Sequence, residues 1–159
     1  MKRRFRRFGP ALFALAAATA LTALPARAAE FEKSVAVPKA GRANLGWTSG
    51  GCSVRGVSLR DYPNYPNADD IRKARHEDPS DTSWLWWDFH VENRGSGKCR
   101  ISLTVEVYDR SGRVVKSGDK TDTVDDHKLD DNIRISTRMR TLDIVDSPRA
   151  RIRGEIRPR

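Results

Sequence analysis

The sequence predicts an all-β sandwich of about seven strands with one short helix in a long loop, and three observations support it. Apolar and polar side chains alternate with a period of two in residues 85–91, 101–108 and 133–141, as in strands with one face on a core. Segments rich in Gly, Ser and Asp separate these stretches, as turns do. The two cysteines, Cys52 and Cys99, form an even pair that can join two sheets. A five-stranded barrel of the OB type is the alternative fold.

Residues 1–28 have the three parts of a secretory signal peptide. A basic run precedes an apolar stretch at 11–24, and the segment closes on Ala26-Arg27-Ala28, an A-x-A cleavage pattern. The apolar stretch is shorter than the roughly twenty residues that a membrane-spanning helix needs. The sequence therefore predicts that 1–28 is removed on export and that 29–159 is one domain without a membrane span. Twin-Arg export is an alternative to the general route, although Arg6-Arg7-Phe8-Gly9 matches its signal poorly.

The predicted leader accounts for most of the positive charge of the chain. The full sequence has 30 basic and 21 acidic residues, a net charge of +9. Six of the basic residues and none of the acidic ones lie in 1–28, which leaves 24 against 21, or +3, in the mature part. Such a small excess argues against nucleic-acid binding.

The two cysteines both lie in the predicted mature part. In an oxidising compartment an even pair is typical of a disulfide. A reactive thiol is the alternative, but neither Cys52 nor Cys99 lies in a Cys-x-x-Cys motif or beside a His. We therefore expect a structural disulfide, which would stabilise the domain by roughly 4 kcal/mol on the chain-entropy model.

The elements before the Trp-rich part of the chain are short. A strand is predicted at 31–37, ended by Pro38, and another at 54–59. Between them, residues 43–51 form a Gly-studded connection that contains Trp47.

Residues 60–83 are predicted to be a long insert in the sandwich. They contain a tandem Tyr-Pro-Asn repeat with Tyr62 and Tyr65, followed by a short helix at 68–77 with Asn67 as its N-cap. A connection of this length is either a binding loop or a flap that covers the sheet.

Residues 84–115 predict a meander of three antiparallel strands. A Gly- and Ser-rich turn at 93–98 separates the first two strands. A turn at 109–112, with Asp first and Gly last, separates the second from the third.

One face of the first of these strands carries Trp84, Trp86, Asp88, His90 and Glu92. The sequence places no nucleophile near this carboxylate–imidazole–carboxylate row, and it contains no hydrolase, nucleotide-binding or zinc-protease motif. We therefore expect no enzyme, no catalytic residue and no cofactor. Trp84 and Trp86 either pack within the domain or provide a stacking platform for sugar rings.

Residues 119–132 form an acidic segment with six Asp and His127. Clustered carboxylates suit calcium, but the EF-hand spacing and its Gly are missing. His76 and His90 lie far from His127 in the sequence, so no spacing typical of zinc is present. The sequence predicts a solvated loop and no metal site, with calcium as the alternative.

Two more strands are predicted at 133–141 and 150–156, joined by a turn at 142–148. If they pair with each other, one face carries rows of arginine side chains. The members of this predicted Arg-rich face are Arg134, Arg138, Arg140, Arg151 and Arg153. Such arginines either keep an edge pair of strands soluble or bind an anionic surface.

The stretch Trp87-Asp-Phe-His-Val-Glu-Asn-Arg-Gly95, followed by Val105-Glu-Val-Tyr-Asp109 and Gly112-Arg-Val-Val115, resembles the FxLYD-type, immunoglobulin-like domains of bacterial envelope proteins. Val105 and Val107 stand where that family often has Phe and Leu. The resemblance covers about 30 residues. It implies an immunoglobulin-like sandwich with an interaction role and carries over no functional residues.

Together these observations predict an immunoglobulin-like β-sandwich that is periplasmic or secreted. We expect a non-enzymatic binding or accessory module of the bacterial cell envelope. Its partner would be an envelope protein or an anionic surface, contacted through the Arg-rich face or through Tyr62 and Tyr65. The alternative is a carbohydrate-binding module that uses exposed Trp84 or Trp86.

Overall fold

The computed structural model describes residues 28–37, 41–59 and 66–159. The predicted signal peptide, apart from Ala28, lies outside the described residues, and so do Tyr62 and Tyr65. Within the described ranges the chain forms eight strands and two helices. These are β1 (Ala29–Ala36), β2 (Arg42–Ser49), β3 (Cys52–Ser58), α1 (Ala68–His76), β4 (Thr82–Asn93), β5 (Cys99–Tyr108), β6 (Val114–Val124), β7 (Asp131–Arg140), α2 (Thr141–Asp146) and β8 (Arg149–Pro158).

The strands form two antiparallel sheets, so the predicted all-β sandwich is confirmed. The first sheet has the strand order β1-β8-β5-β6 and the second has the order β2-β3-β4-β7. The part of the chain that the structure describes thus has eight strands where the sequence predicts about seven. Constant-type immunoglobulin domains place their first strand beside their second, whereas β1 here lies beside β8.

The core lies between the two sheets and is built from the apolar rows that the alternation predicts. In β4 and β5 the inward side chains are at most 2 % exposed; they are Leu85, Trp87, Phe89, Val91, Ile101, Leu103, Val105 and Val107. Trp47 reaches across the core to β8, where Gly154 leaves room for its ring: a Cβ there would lie 2.5 Å from Trp47 Cζ3. Phe31 stacks on the same indole, with ring centroids 5.5 Å apart. The small residue on β8 therefore lets the largest side chain of β2 fill the core.

The predicted meander is wrong for its first pair of strands and right for its second. β4 and β5 lie in different sheets, and the connection between them crosses the sandwich. The sequence pattern cannot show this, because an apolar row is buried equally well beside a neighbouring strand of its own sheet or across the core from a strand of the other sheet. β5 and β6 do form a hairpin, closed by the Gly112 amide donating to the Asp109 carbonyl at 3.1 Å.

The crossing between the sheets is fixed by a side chain and by a covalent bond. The buried Asn93 donates from Nδ2 to the Gly97 and Asp125 carbonyls at 2.7 and 3.0 Å. Cys52 of β3 and Cys99 of β5 form a disulfide, with Cα atoms 6.2 Å apart. This confirms the predicted pairing and joins the second sheet to the first.

Trp47 lies in a strand, not in the Gly-studded connection that the sequence predicts. β2 pairs with β3, but the register shifts between Asn44 and Trp47 and Gly46 has φ of +66°. This bulge breaks the alternation of apolar and polar residues. The strand therefore has no regular period to read in the sequence.

The predicted acidic loop at 119–132 is too long. β6 continues to Val124 and β7 begins at Asp131, so the connection is only 125–130. β6 is an edge strand whose side chains are mostly exposed, and its hydrogen bonds to β5 hold it in place without an apolar row. Burial alternation cannot reveal a strand of this kind.

The predicted helix in the insert is confirmed as α1, with a reciprocal capping box. The Asn67 side chain accepts from the Asp69 and Asp70 amides at 2.8 and 2.9 Å, and Asp70 accepts from the Asn67 amide at 3.0 Å. The predicted turn at 142–148 instead contains α2, which packs against α1. Ala74 and Ile144 are both fully buried. None of the helices in the described ranges has the length and apolar character to span a membrane.

Candidate functional site

The outer face of the second sheet, which points away from the first sheet, collects most of the polar and aromatic residues singled out in the sequence. Trp84 and Trp86 of β4 point outward because Leu85 and Trp87 point into the core. β7 lies beside β4, with Trp84 opposite Arg138. The tertiary structure therefore brings two candidate features, the tryptophans and some of the arginines, onto one surface.

The predicted single Arg-rich face is not formed, because its two strands do not pair. β7 pairs with β4 in the second sheet, whereas β8 pairs with β1 and β5 in the first. Arg134, Arg138 and Arg140 are therefore on a different sheet from Arg151 and Arg153. An alternating sequence shows which side of a strand is apolar, but it does not show which strand lies beside it.

Arg134 covers Trp86. Its guanidinium carbon lies 4.5 Å from the centroid of the Trp86 ring, within cation–π distance. The same guanidinium binds both carboxylate oxygens of Asp88, with Nη2 donating at 3.1 Å to Oδ2. This hydrogen bonding raises the pKa of Arg134 above its ordinary value. Trp86, Arg134 and Asp88 thus form a cluster in which the charges of the arginine and the aspartate balance each other.

Trp84 and Arg138 form a more exposed pair on the same outer face. Trp84 is 47 % exposed, and the Arg138 guanidinium carbon lies 6.0 Å from its ring centroid. Arg138 Nε donates to Thr82 Oγ1 at 3.0 Å, and among the described residues it has no carboxylate partner. We call Trp84, Trp86, Arg134 and Arg138 the Trp-Arg face. It offers a ligand an indole ring and a cation side by side.

Arg140 is not part of this open surface. It is the residue before α2, and its guanidinium binds Asp143 at 2.8 and 2.7 Å. The hydrogen bonds that Arg140 donates to Asp143, together with the Asp143 charge, raise the pKa of Arg140. Its contacts are those of a residue that orders the start of α2.

His90 lies beside a hydroxyl group that sequence reasoning missed. Ser58 of β3 has its Oγ 2.8 Å from His90 Nε2. Sequence reasoning places no nucleophile near this row, because β3 and β4 are separated by the insert. Ser58 is only 6 % exposed and lies inside the strand ladder between β2 and β4. The contact gives a hydrogen-bond partner to the buried Ser58 hydroxyl and to the half-buried His90 ring.

Glu92 is a buried carboxylate held between two arginines. Its side chain is 4 % exposed and forms ion pairs with Arg55 and with Arg94, the latter at 2.6 Å. Burial acts to raise the pKa of Glu92, but the hydrogen bond from Arg94 and the charges of both arginines outweigh it and lower the pKa. Sequence reasoning singled out neither arginine. The only local indication is the Glu-x-Arg spacing of Glu92 and Arg94.

On the same outer face, depressions lie where β2 and β3 each contain a β-bulge. One open depression of about 430 Å³ is lined by Arg42, Asn44, Gly46 and Arg55. A second, of about 340 Å³, adjoins it at Gly46 and Arg55 and reaches Glu92. Both strands shift register here, between Asn44 and Trp47 and between Val54 and Gly56. We call Arg42, Asn44, Gly46 and Arg55 the bulged corner.

Arg151 and Arg153 lie on the outer face of the first sheet and are ion-paired there. Both reach Glu32, at 3.6 and 3.2 Å, and Arg153 also reaches Glu106 at 3.4 Å. Tyr108 donates to Glu106 at 2.7 Å, which, with burial and the Glu106 charge, raises the pKa of Tyr108. This face is a balanced network of both charge signs.

In the described ranges, no group of three or more His, Cys, Asp or Glu side chains is placed to hold a metal ion. The acidic connection at 125–130 is engaged with its neighbours: Asp125 binds Lys98 at 2.9 Å, and Asp126 lies 3.5 Å from His127. The geometry therefore does not favour the calcium alternative.

A scan against protein-family models and searches of curated proteins and of solved structures found no match to this chain. The fold and its surface thus define an all-β sandwich whose two sheets are joined by a disulfide, with a face of tryptophan and arginine side chains on one sheet.

Proposed function

We propose that this protein is an exported, non-enzymatic binding module of the bacterial cell envelope whose ligand is an acidic glycan. The single observation that carries the proposal is the exposed Trp84 ring with Arg138 opposite it. The proposal joins the two functions expected from the sequence, anion binding by arginines and stacking by tryptophans, on one surface.

The chemistry of the Trp-Arg face suits such a ligand. A sugar ring has apolar C–H faces that pack on an exposed indole. A guanidinium offers a planar fork of donors for a carboxylate or sulfate. Arg138 has no carboxylate partner within the described ranges, so its charge is available to a ligand.

Two further observations support export and a non-enzymatic role. The Cys52–Cys99 disulfide favours an oxidising compartment, in agreement with the leader pattern of residues 1–28. Ser58, which lies next to His90, is only 6 % exposed, so a substrate has little access to its hydroxyl.

The test uses residues 29–159 with the disulfide intact. Heparin-derived oligosaccharides and neutral cello-oligosaccharides are titrated separately, with Trp fluorescence and calorimetry as readouts. We expect the acidic oligosaccharide to quench fluorescence and to bind more tightly than the neutral one. Trp84→Ala and Arg138→Gln should each weaken binding about tenfold.

Two exposed residues of the first sheet provide matched controls. Val114→Ala removes an apolar side chain that is 50 % exposed, and Arg100→Gln removes an exposed cation. Both should bind like the parent domain. The proposal would be overturned if the control variants lost as much affinity for the acidic oligosaccharide, or if Trp84→Ala and Arg138→Gln bound it like the parent domain. Equal affinity for neutral and acidic oligosaccharides would assign a neutral carbohydrate instead.

A further inference from the structure

The bulged corner lies at the other end of the outer face from Trp84 and is not needed for the glycan contact. Gly46, with φ of +66°, occupies the extra position of the β2 bulge. Having no side chain, it leaves the floor of the depression open. This bulge borders the open depression of about 430 Å³, and β-bulges are over-represented next to functional sites.

The cations of the corner outnumber its acids. The Arg42 side chain lies across Gly56, since a Cβ on Gly56 would be 3.5 Å from Arg42 Nε. Within the described part of the chain, Arg42 has no carboxylate partner. The ammonium of Lys33, on β1 of the other sheet, donates to the Asn44 carbonyl at 2.6 Å; Lys33 does not line the depression.

Arg55 adds to this excess, although it has a partner. Its carboxylate, Glu92, is shared with Arg94, so these three side chains together carry one positive charge. The Arg55 side chain remains 52 % exposed at the edge of the depression. With Arg42, the corner and its ion-paired cluster hold a surplus of two positive charges, sufficient for a doubly charged anion.

We infer that the bulged corner binds a phosphate group. Arg42 and Arg55 supply charged donors, and the Asn44 amide supplies a neutral one. Guanidinium pairs suit the tetrahedral oxygens of phosphate because their donors form two parallel bonds. The site goes beyond the glycan contact and does not depend on it.

The experiment is an NMR titration of ¹⁵N-labelled residues 29–159 with inorganic phosphate at constant ionic strength. Saturable shifts are expected for the Gly46 and Gly56 amides. Arg42→Gln should weaken phosphate binding about tenfold, and Arg42→Lys should retain part of the affinity because it keeps the charge. Arg42 is exposed, and its variants should keep the thermal stability of the parent domain.

Matched measurements define the outcome. Arg100→Gln and Trp84→Ala should leave phosphate binding unchanged, and acetate should bind more weakly than phosphate. Shifts that do not saturate, or equal affinity in Arg42→Gln and the parent domain, would overturn the inference. If glycans fail to bind but phosphate binds through Arg42, the proposed function falls and this site stands.

The source of the phosphate is distinguished by two further probes. Glucose 6-phosphate represents a phosphorylated sugar, and vesicles of phosphatidylglycerol represent a lipid headgroup. Arg42-dependent binding of either supports the site and identifies its source. Binding of the vesicles by Arg42→Gln as tightly as by the parent domain would contradict a lipid assignment and count against the site.

Discussion

Glu92 shows how one buried residue organises its neighbours on the outer face. Its carboxylate accepts from Arg94 at 2.6 Å and pairs with Arg55, so three side chains from β3, β4 and the following connection are held together. An enclosed charge is tolerated only when it is paired in this way. The cluster also positions Arg55 at the bulged corner.

The lowered pKa of Glu92 predicts a pH-dependent contribution to stability. A carboxyl group whose pKa is lower in the folded state stabilises the protein fully above its unfolded value, about 4.3. That contribution is lost as the pH falls through the folded pKa. Glu92→Gln should therefore lower the melting temperature at pH 7, and the difference from the parent domain should narrow near pH 3. Circular dichroism melting curves at both pH values measure this.

Asp119→Asn is the control for Glu92→Gln, because Asp119 is exposed on β6. It should change the melting temperature little. The same difference between parent and Glu92→Gln at both pH values would show that the ionised carboxylate is not what stabilises the cluster.

Gly154 is the residue on which the packing of Trp47 depends. A Cβ added there would lie 2.5 and 2.9 Å from Trp47 ring atoms and 3.3 Å from Leu103 Cδ2. We expect Gly154→Ala to destabilise the domain by about 1–3 kcal/mol, because overpacking forces the core to shift. Urea unfolding measures the change. Gly41→Ala, where a Cβ would meet nothing within 4 Å, is the matched control, and equal effects at the two positions would contradict the argument.

At the scale of elements, β6 illustrates how an edge strand is specified with little burial. Its pairing with β5 covers the whole hairpin, and its exposed side chains include Lys116, Asp119 and Lys120. Charged side chains on an edge oppose pairing with another molecule. Backbone hydrogen bonds to β5 and the core contacts of Val115 and Val124 hold the strand in place, and its charged side chains oppose aggregation through its edge.

The capping box of α1 predicts a local effect of substitution. Asn67→Ala removes the acceptor for the Asp69 and Asp70 amides, which should destabilise the helix by about 1 kcal/mol. Asn67→Asp keeps an acceptor and should behave like the parent. Hydrogen exchange of the amides in Ala68–His76 is the measurement. Unchanged exchange in Asn67→Ala would show that packing against α2 alone holds the helix.

At the scale of the whole molecule, the disulfide joins the two sheets covalently, in addition to their common core and to the hydrogen bonds of Asn93. Cys52 and Cys99 are separated by 47 residues. On the chain-entropy model a loop of this length contributes about 4 kcal/mol, mainly by restricting the unfolded chain. The bond therefore supplies a large part of the usual stability of a domain of this size.

The double substitution Cys52→Ala with Cys99→Ala should lower the free energy of unfolding by about 2–4 kcal/mol. Denaturant unfolding compares it with the oxidised parent, and the parent in reducing agent provides a second comparison. Below the unfolding transition, the circular dichroism spectra of the double variant, the oxidised parent and the reduced parent should be alike. An unfolding free energy equal to that of the oxidised parent would mean that core packing alone joins the sheets.

Local patterns alone determined much of this protein. The apolar rows of β4, β5, β7 and β8, the capped helix α1 and the cysteine pair could all be predicted, because each depends on neighbours in the chain or on a simple count. β2 was not predicted, because a bulge breaks its period, and only the start of β6 was predicted, because exposure removes the period of the rest.

Only the tertiary structure decided which strands lie side by side. Alternation indicates the buried side of a strand, but strand order follows from how the apolar rows of both sheets pack together. For that reason the sequence could not place Arg138 opposite Trp84, Ser58 beside His90, or Arg42 and Arg55 at one corner. The candidate sites depend on contacts between distant segments, and such contacts form only when the two sheets close on a common core.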